Sequence, residues 1–464
     1  MKRILIIAGI AMLATICSSG QNSIMDYNSF LKKVRDANPL MNQAANIGRL
    51  GEVQLNAARG AFDPQLSANS SQKSLDGVKY YTTHESELKQ QLYTSQHLKA
   101  GYQYHVGSNV NPENKTSTYG IPYAGVEVSV LQGLGIDSKR AELKKATYMK
   151  EYLDAESRLK QNEVLFSAAK KYVELQYFLE LKFLGNQFTG LAEERLNYVR
   201  NLASIGERAT IDTVEASIQL QSRQLEIQGY DLELVKKYND INTLTTMNTT
   251  PIDPTTVTAD EFDILYEKFS EQAAALMLAS NFNNPMIDQY RYKGQIIETE
   301  KRLKKEMIKP VLDISYNALH SINRPSDYVV SIENYKWSAN FAMPLYLRKS
   351  RNEYKMASIY LENNQLELGN TERYLLNRRE AAISSIKLLQ QQINLGTESA
   401  SLNQKLVDAE RLKFNNGEST LFLLNQREVK WLETSAKLIE LKLKYMLACI
   451  ELIYLDGDLG YELN

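Results

Sequence analysis

Along most of this chain apolar residues recur every three or four positions, as on a helix, and in a few short stretches the spacing tightens to two. Between Asp137-Ser138 and Ala203 no proline intervenes and Leu, Ala, Lys, Glu, Gln and Tyr dominate, which predicts a single helix. At ~1.5 Å per residue it would be roughly 100 Å long. Arg348 to Asn415 predicts a second helix of the same kind. Each is followed by a Gly-Glu turn, Gly206-Glu207 or Gly417-Glu418, and then by a shorter helix. In the last helix Phe422, Val429, Leu432, Ala436, Ile439, Leu443, Met446, Ile450 and Ile453 keep one heptad ladder, with Asn425 in the remaining position. A second stripe of Leu424, Trp431, Leu438, Leu441, Tyr445 and Leu452 predicts a second helical neighbour. In the first short helix the ladder Ile211, Val214, Ile218, Leu225, Leu232 and Val235 is interrupted by Gln221 and Gln228, as suits a helix with one wet side.

The same order of elements occurs twice. Asn38-Pro39 and Asn284-Pro285 each open a helical stretch, and Pro64 and Pro310 follow at equal intervals. A strand zone, a very long helix, a Gly-Glu turn and a shorter helix come next in both halves, predicting two tandem repeats over about 21–248 and 261–464. The turn-rich linker between them covers 249–260. Because the helix after each Gly-Glu turn is much shorter than the one before it, Pro39 to Phe62 and Pro285 to Ile308 have the length to complete the layer by end-to-end stacking.

In the strand zones, about 63–133 and 310–346, Leu312, Ile314, Tyr316 and Ala318 alternate with Asp313, Ser315 and Asn317. Val126, Val128 and Val130 alternate with Glu127 and Ser129, and Trp337, Ala339, Phe341 and Met343 with Ser338, Asn340 and Ala342. A soluble sandwich and a lipid-facing barrel both produce this pattern. About two strands per half cannot close a barrel alone, so partner chains are expected. The first strand zone is twice as long as the second, and within its surplus Leu98, Ala100, Tyr102, Tyr104 and Val106 alternate. Residues 76–122 therefore form either an additional hairpin that widens a barrel or a folded loop, with Asn109 to Thr118 exposed on either reading.

Residues 1–20 read as a secretory signal peptide: Lys2 and Arg3, an apolar run from Ile4 to Ile16, then Ser18-Ser19-Gly20. The rival is lipidation at Cys17, although Ile16 stands where a small residue is wanted. The mature chain keeps only Cys449, in a helical pattern, which reads as packing. With Lys+Arg 54 against Asp+Glu 55, dispersed along the chain, no nucleic-acid surface is indicated. His84, His97, His105 and His320 have no metal-ligand spacing, and Gly133-Leu134-Gly135 lacks a dinucleotide fingerprint and reads instead as a bend from strand to helix. No cofactor and no enzymatic constellation is expected.

Four motifs resemble the outer-membrane efflux protein (TolC) family over nearly the whole mature chain. Asn38-Pro39-Leu40 leads through Ala57-Ala58-Arg59 to Pro64-Gln65-Leu66. Met343-Pro344-Leu345-Tyr346 with Arg348 and Arg351 resembles the family's strand-to-helix junction, with Gln132-Gly133-Leu134 and Arg140 as the first-half counterpart. Ile205-Gly206-Glu207 through Thr210-Ile211-Asp212, and Asn416-Gly417-Glu418 through Leu424-Asn425-Gln426-Arg427, resemble its two helix-hairpin tips.

The resemblance implies a mainly α chain with membrane β: a homotrimeric α-helical tunnel continuous with a twelve-stranded outer-membrane β-barrel, four strands from each chain. It implies an exit duct of a tripartite efflux or type I secretion system in a Gram-negative outer membrane. Its partners would be outer-membrane lipid, a periplasmic adaptor and an inner-membrane transporter of RND or ABC type. By position Asp212 matches an acidic constriction residue. The second half departs, with Leu423, Leu424, Asn425 and Gln426 where the family has aspartates and Ser419 where it has a gating arginine. Arg208, Glu207 and Glu418 are candidates for a substitute ion-pair gate together with Asn425, and Gly206 and Gly417 for tight turns and adaptor docking. The alternative reading is a periplasmic coiled-coil scaffold or adaptor with its strands in a soluble domain.

Overall fold

A computed structural model describes residues 26–245, 262–278, 282, 284–320 and 333–457. The signal segment 1–20, Cys17 and the linker 249–260 lie outside the described residues. The chain order is α1 (Tyr27–Ala37), α2 (Pro39–Gly60), β1 (Gln65–Leu75), β2 (Val78–Gln91), β3 (Gln96–Val106), β4 (Ile121–Ser129), α3 (Ser138–Ser204) and α4 (Thr210–Thr245). It continues with α5 (Phe262–Leu278), α6 (Pro285–Glu306), β5 (Val311–Leu319), β6 (Tyr335–Ala342), α7 (Arg348–Asn415) and α8 (Leu421–Asp456).

The helix lengths follow from breakers and caps. Asp137 caps α3 by accepting the Arg140 N–H at 2.9 Å, and its carboxylate also holds Arg140 Nε at 2.6 Å. Arg140 also donates to the carbonyls of Gly133 and Leu134, so this one arginine fastens the corner where β4 turns into the helix. The long helices have 67 and 68 residues, and the helices that follow them have 36 each. α2 and α6 have 22 residues each and extend the layer beyond those 36-residue helices.

Each Asn-Pro pair makes that end-to-end junction. The Asn38 side chain caps α2 by accepting the Leu40 N–H at 2.8 Å, and its Nδ2 donates to the Leu244 carbonyl at the end of α4 at 2.9 Å. Asn284 does the same for α6, at 2.9 Å to Met286 N–H and 2.8 Å to the Leu455 carbonyl of α8. Both asparagines are buried. Replacing either with alanine removes a cap and orphans a buried helix-end carbonyl, a cost of about 1–2 kcal/mol each. The expected result is a lowered denaturation midpoint for Asn284→Ala, read by circular dichroism.

α3 packs on α2, α4, α6 and α8, while α7 packs on α6 and α8. The helices therefore form an open array, α4–α3–α8–α7 at the end bearing the Gly-Glu turns and α2–α3–α6–α7 at the sheet end. The main core lies mid-length, where α1 and α5 cover α3 and α8. There Tyr27, Phe30, Tyr172 and Phe269 stack or meet edge-on with centroids 5.2–5.6 Å apart, and Met446, Ile450 and Ile453 are fully buried. Cys449 belongs to this core, and burial pushes its thiol up to about 12. Both predicted stripes of α8 are largely covered, as its place between α3 and α7 requires.

The six strands form one antiparallel meander in the order β1-β2-β3-β4-β5-β6. The expected contribution of four strands is thus corrected to six, because residues 76–122 supply the whole β2–β3 pair rather than a folded loop. Asp76-Gly77 makes this possible: both residues have positive φ, 53° and 74°, the geometry of the tight hairpin turn that joins β1 to β2.

Candidate functional site

The two ends of the molecule carry distinct surfaces. At the sheet end, register and side-chain alternation place Leu66, Leu88, Leu98, Ala100, Tyr102, Val126, Ile314, Tyr316, Trp337 and Phe341 on one face. No Asp, Glu, Lys or Arg of any strand lies on that face, yet it is open: Leu66 is 77%, Trp337 64% and Phe341 65% exposed. Every charged strand residue points the other way. There Glu127 pairs with Lys99 and, at 3.7 Å, with Lys89. Tyr123 donates to Glu87 at 2.7 Å, Ser129 donates to Asp313 at 2.6 Å, and His105 meets Glu85 at 2.8 Å. The open face is largely apolar from β3 to β6 and mixes Leu66 and Leu88 with Ser70, Gln72, Thr82, His84, Ser86 and Gln90 on β1 and β2. Backed by the charged face, it fits lipid on one side and water on the other. No described helix is long and apolar enough to cross a membrane.

At the other end both hairpins turn by the same device. Gly206 donates to Ala203 O and Glu207 to Leu202 O, while Gly417 donates to Phe414 O and Glu418 to Lys413 O. Each is a Schellman cap with glycine in the left-handed region, φ 81° and 79°. Valine at either glycine is expected to cost about 1–2 kcal/mol. Faster hydrogen exchange confined to the flanking helix turns of Gly206→Val or Gly417→Val would report it, with asparagine at the same position much milder. Nothing packs over either glycine within 4 Å, which leaves the tips open.

The candidate gate residues fall into two groups. Asp212, Glu207, Arg208 and Glu418 sit around the turns, and no ion pair among the described residues involves them. The expected Arg208–Glu207–Glu418 pairing is therefore not made within one chain: Arg208 lies over the Phe414 ring, 4.8 Å from its centroid, and both glutamate side chains stay in solvent. Exposed ion pairs gain little over hydration, whereas the cation gains a ring face. Asn425, by contrast, is buried. Its Oδ1 accepts from Arg195 at 2.5 Å and its Nδ2 donates to Glu215 at 3.0 Å. Arg195 also pairs with Glu428, which Arg411 approaches at 3.4 Å.

This network joins α3, α4, α7 and α8, and so ties the two hairpins together just above their tips. Arg195 and Glu428 were not singled out in the sequence. The available signal was a charged residue at an otherwise core-facing position of each helix, and it pointed to no particular partner. Among the described residues no cluster of three His, Cys, Asp or Glu is arranged to hold a metal.

No family model matches this sequence, and no curated protein matches it. Solved structures do. The outer-membrane channel MtrE of Neisseria gonorrhoeae, in its open state, superposes with TM-score 0.65 at 12% identity, covering 93% of this chain and 88% of that one. VceC of Vibrio cholerae gives 0.63 at 12%, covering 93% and 95%, and CmeC of Campylobacter jejuni 0.61 at 12%, covering 93% and 85%. The chain has the fold of the outer-membrane channels.

Proposed function

We propose that this protein is the outer-membrane exit duct of a tripartite efflux or type I secretion system, working as a homotrimer. The observation that carries the reading is the six-stranded sheet with one uncharged, exposed, largely apolar face, set at one end of helices roughly 100 Å long. Outer-membrane lipid would cover that face, and most of the helical part would lie in the periplasm. An adaptor would dock on the open tips around Gly206 and Gly417 and connect them to an inner-membrane transporter of RND or ABC type.

Self-assembly is supported by both edges of the open array. α4 presents Ile211, Ile218, Leu225 and Leu232 to solvent at strict heptad spacing, and α7 presents Leu388, Leu395 and Leu402 likewise. The sheet edges fall on the same two sides, β1 following α2 and β6 preceding α7. Unpaired strand edges are not tolerated in lipid, so a neighbour's β6 is the natural partner of β1. The matched helix lengths and Asn-Pro junctions support reading the halves as tandem repeats. Against the scaffold reading stands a sheet whose largely apolar face is covered by no helix or strand among the described residues. The gate of this reading is the Arg195–Asn425–Glu215–Glu428 network, with Asp212, Arg208, Glu207 and Glu418 at the lip. The native mass of full-length protein extracted from outer membranes in mild detergent tests the reading: a trimer is expected, and a soluble periplasmic monomer would overturn it.

A further inference from the structure

The sheet holds two strands more than a four-strand contribution requires, and the surplus hairpin is built into the wall. The face free of Asp, Glu, Lys and Arg continues across it: Leu88 opposes Ala100, Leu98 opposes Val126, and Val126 opposes Tyr316, with Thr82, His84, Ser86 and Gln90 as the polar residues of β2 on that side. On the other face the Lys99–Glu127 pair and the Tyr123–Glu87 hydrogen bond fasten the hairpin to β4. Its turn is anchored at the helical end of the sheet, where Tyr93 stacks on Phe62 with centroids 4.7 Å apart and Gln90 donates to the Phe62 carbonyl at 2.7 Å. A loop folded over the outside of a barrel would have neither the continuous face nor this anchor.

Widths are compatible with this. Strands ~4.8 Å apart and tilted by ~40° each take about 6.3 Å of a barrel's circumference, so six take about 38 Å and four only about 25 Å. Four helices side by side at ~9.5 Å take about 38 Å. Each chain offers four helices at the sheet end, α2–α3–α6–α7, so six strands and the helices beneath them take arcs of similar width. Six is also an even number, so β1 and β6 run in opposite directions and a head-to-tail joint between chains is antiparallel.

We propose that the assembled protein closes an eighteen-stranded barrel, six strands from each of three chains, matching the helical tunnel in circumference and imposing no neck where the two meet. This rests on the trimeric duct reading. It assigns the β2–β3 hairpin, residues 78–106, to the lipid-facing wall.

The test is electron cryomicroscopy of the full-length protein in phosphatidylcholine nanodiscs, with native mass measured on the same sample. Eighteen strands around a trimer are expected. A trimer with twelve strands and the hairpin off the wall would overturn the proposal and leave the duct intact, whereas a monomer without a closed barrel would remove both. A second measurement does not depend on the reconstruction. In a Trp337→Phe, Trp431→Phe background, Tyr102→Trp and Gln103→Trp are compared in vesicles of phosphatidylcholine brominated on its acyl chains. Loss of emission at position 102 but not at 103 is expected; no loss at either position, or equal loss at both, would overturn the placement of β3.

Discussion

Val126→Lys is expected to abolish the membrane-inserted assembly, while Ser315→Lys leaves it intact. Val126 sits mid-strand in β4 between Leu98 and Tyr316 on the uncharged face, and Ser315 lies one strand away on the opposite face, level with Glu127. A lysine on the lipid side of a barrel costs about 2–4 kcal/mol near the bilayer midplane, and in a trimer every chain would carry one. On the water side the new ammonium keeps its hydration and has a carboxylate opposite. The readout is the amount of trimer recovered from the outer-membrane fraction. Equal recovery of the two variants would mean that the faces have been assigned the wrong way or that no lipid touches the sheet.

Glu428→Ala is expected to loosen both helix tips together. Its carboxylate and the Arg195 guanidinium are only 7% and 8% exposed, so removing the acid strands a buried cation. Breaking such a pair from one side costs about 3–5 kcal/mol, whereas replacing both charges with apolar groups of similar size is often close to neutral. Hydrogen exchange over the last turns of α3 and α7 and the first turns of α4 and α8 should rise by orders of magnitude in Glu428→Ala. The Arg195→Met, Glu428→Leu double variant should exchange near the parental rate. Unchanged exchange in the single variant would show that packing of Leu196, Val199, Phe414 and Leu424 alone holds the hairpins together.

Much of the helical part was legible locally. Caps and breakers act over a few residues, so Asp137 and the two Gly-Glu turns mark helix ends that the backbone hydrogen bonds share. The β2–β3 hairpin is less legible: Asp76-Gly77 is a strong signal for the β1–β2 turn, whereas Leu92-Tyr93-Thr94-Ser95, which joins β2 to β3, holds no such dipeptide. α1 and α5 carry little local signal as well. They are short, and the aromatic cluster of Tyr27, Phe30 and Phe269 that holds them forms only against Tyr172 of α3.

What the sequence determined by itself is the kind of surface each element carries: a heptad stripe, an alternating strand face, a turn that only glycine makes without strain. Which surface meets which was decided by the tertiary structure. The apolar ladder of α8 is largely buried between α3 and α7, while a ladder of similar spacing on α4 faces outward. Gln221 and Gln228 mark one side of α4 as wet, but neither local pattern says that its apolar ladder is the side left uncovered. Asn425 fills a polar gap in a heptad, and only the fold brings Arg195, Glu215 and Glu428 around it. Periodicity records that a face is amphipathic, because that depends on neighbours three or four residues away. The identity of its partner depends on chain segments hundreds of residues apart.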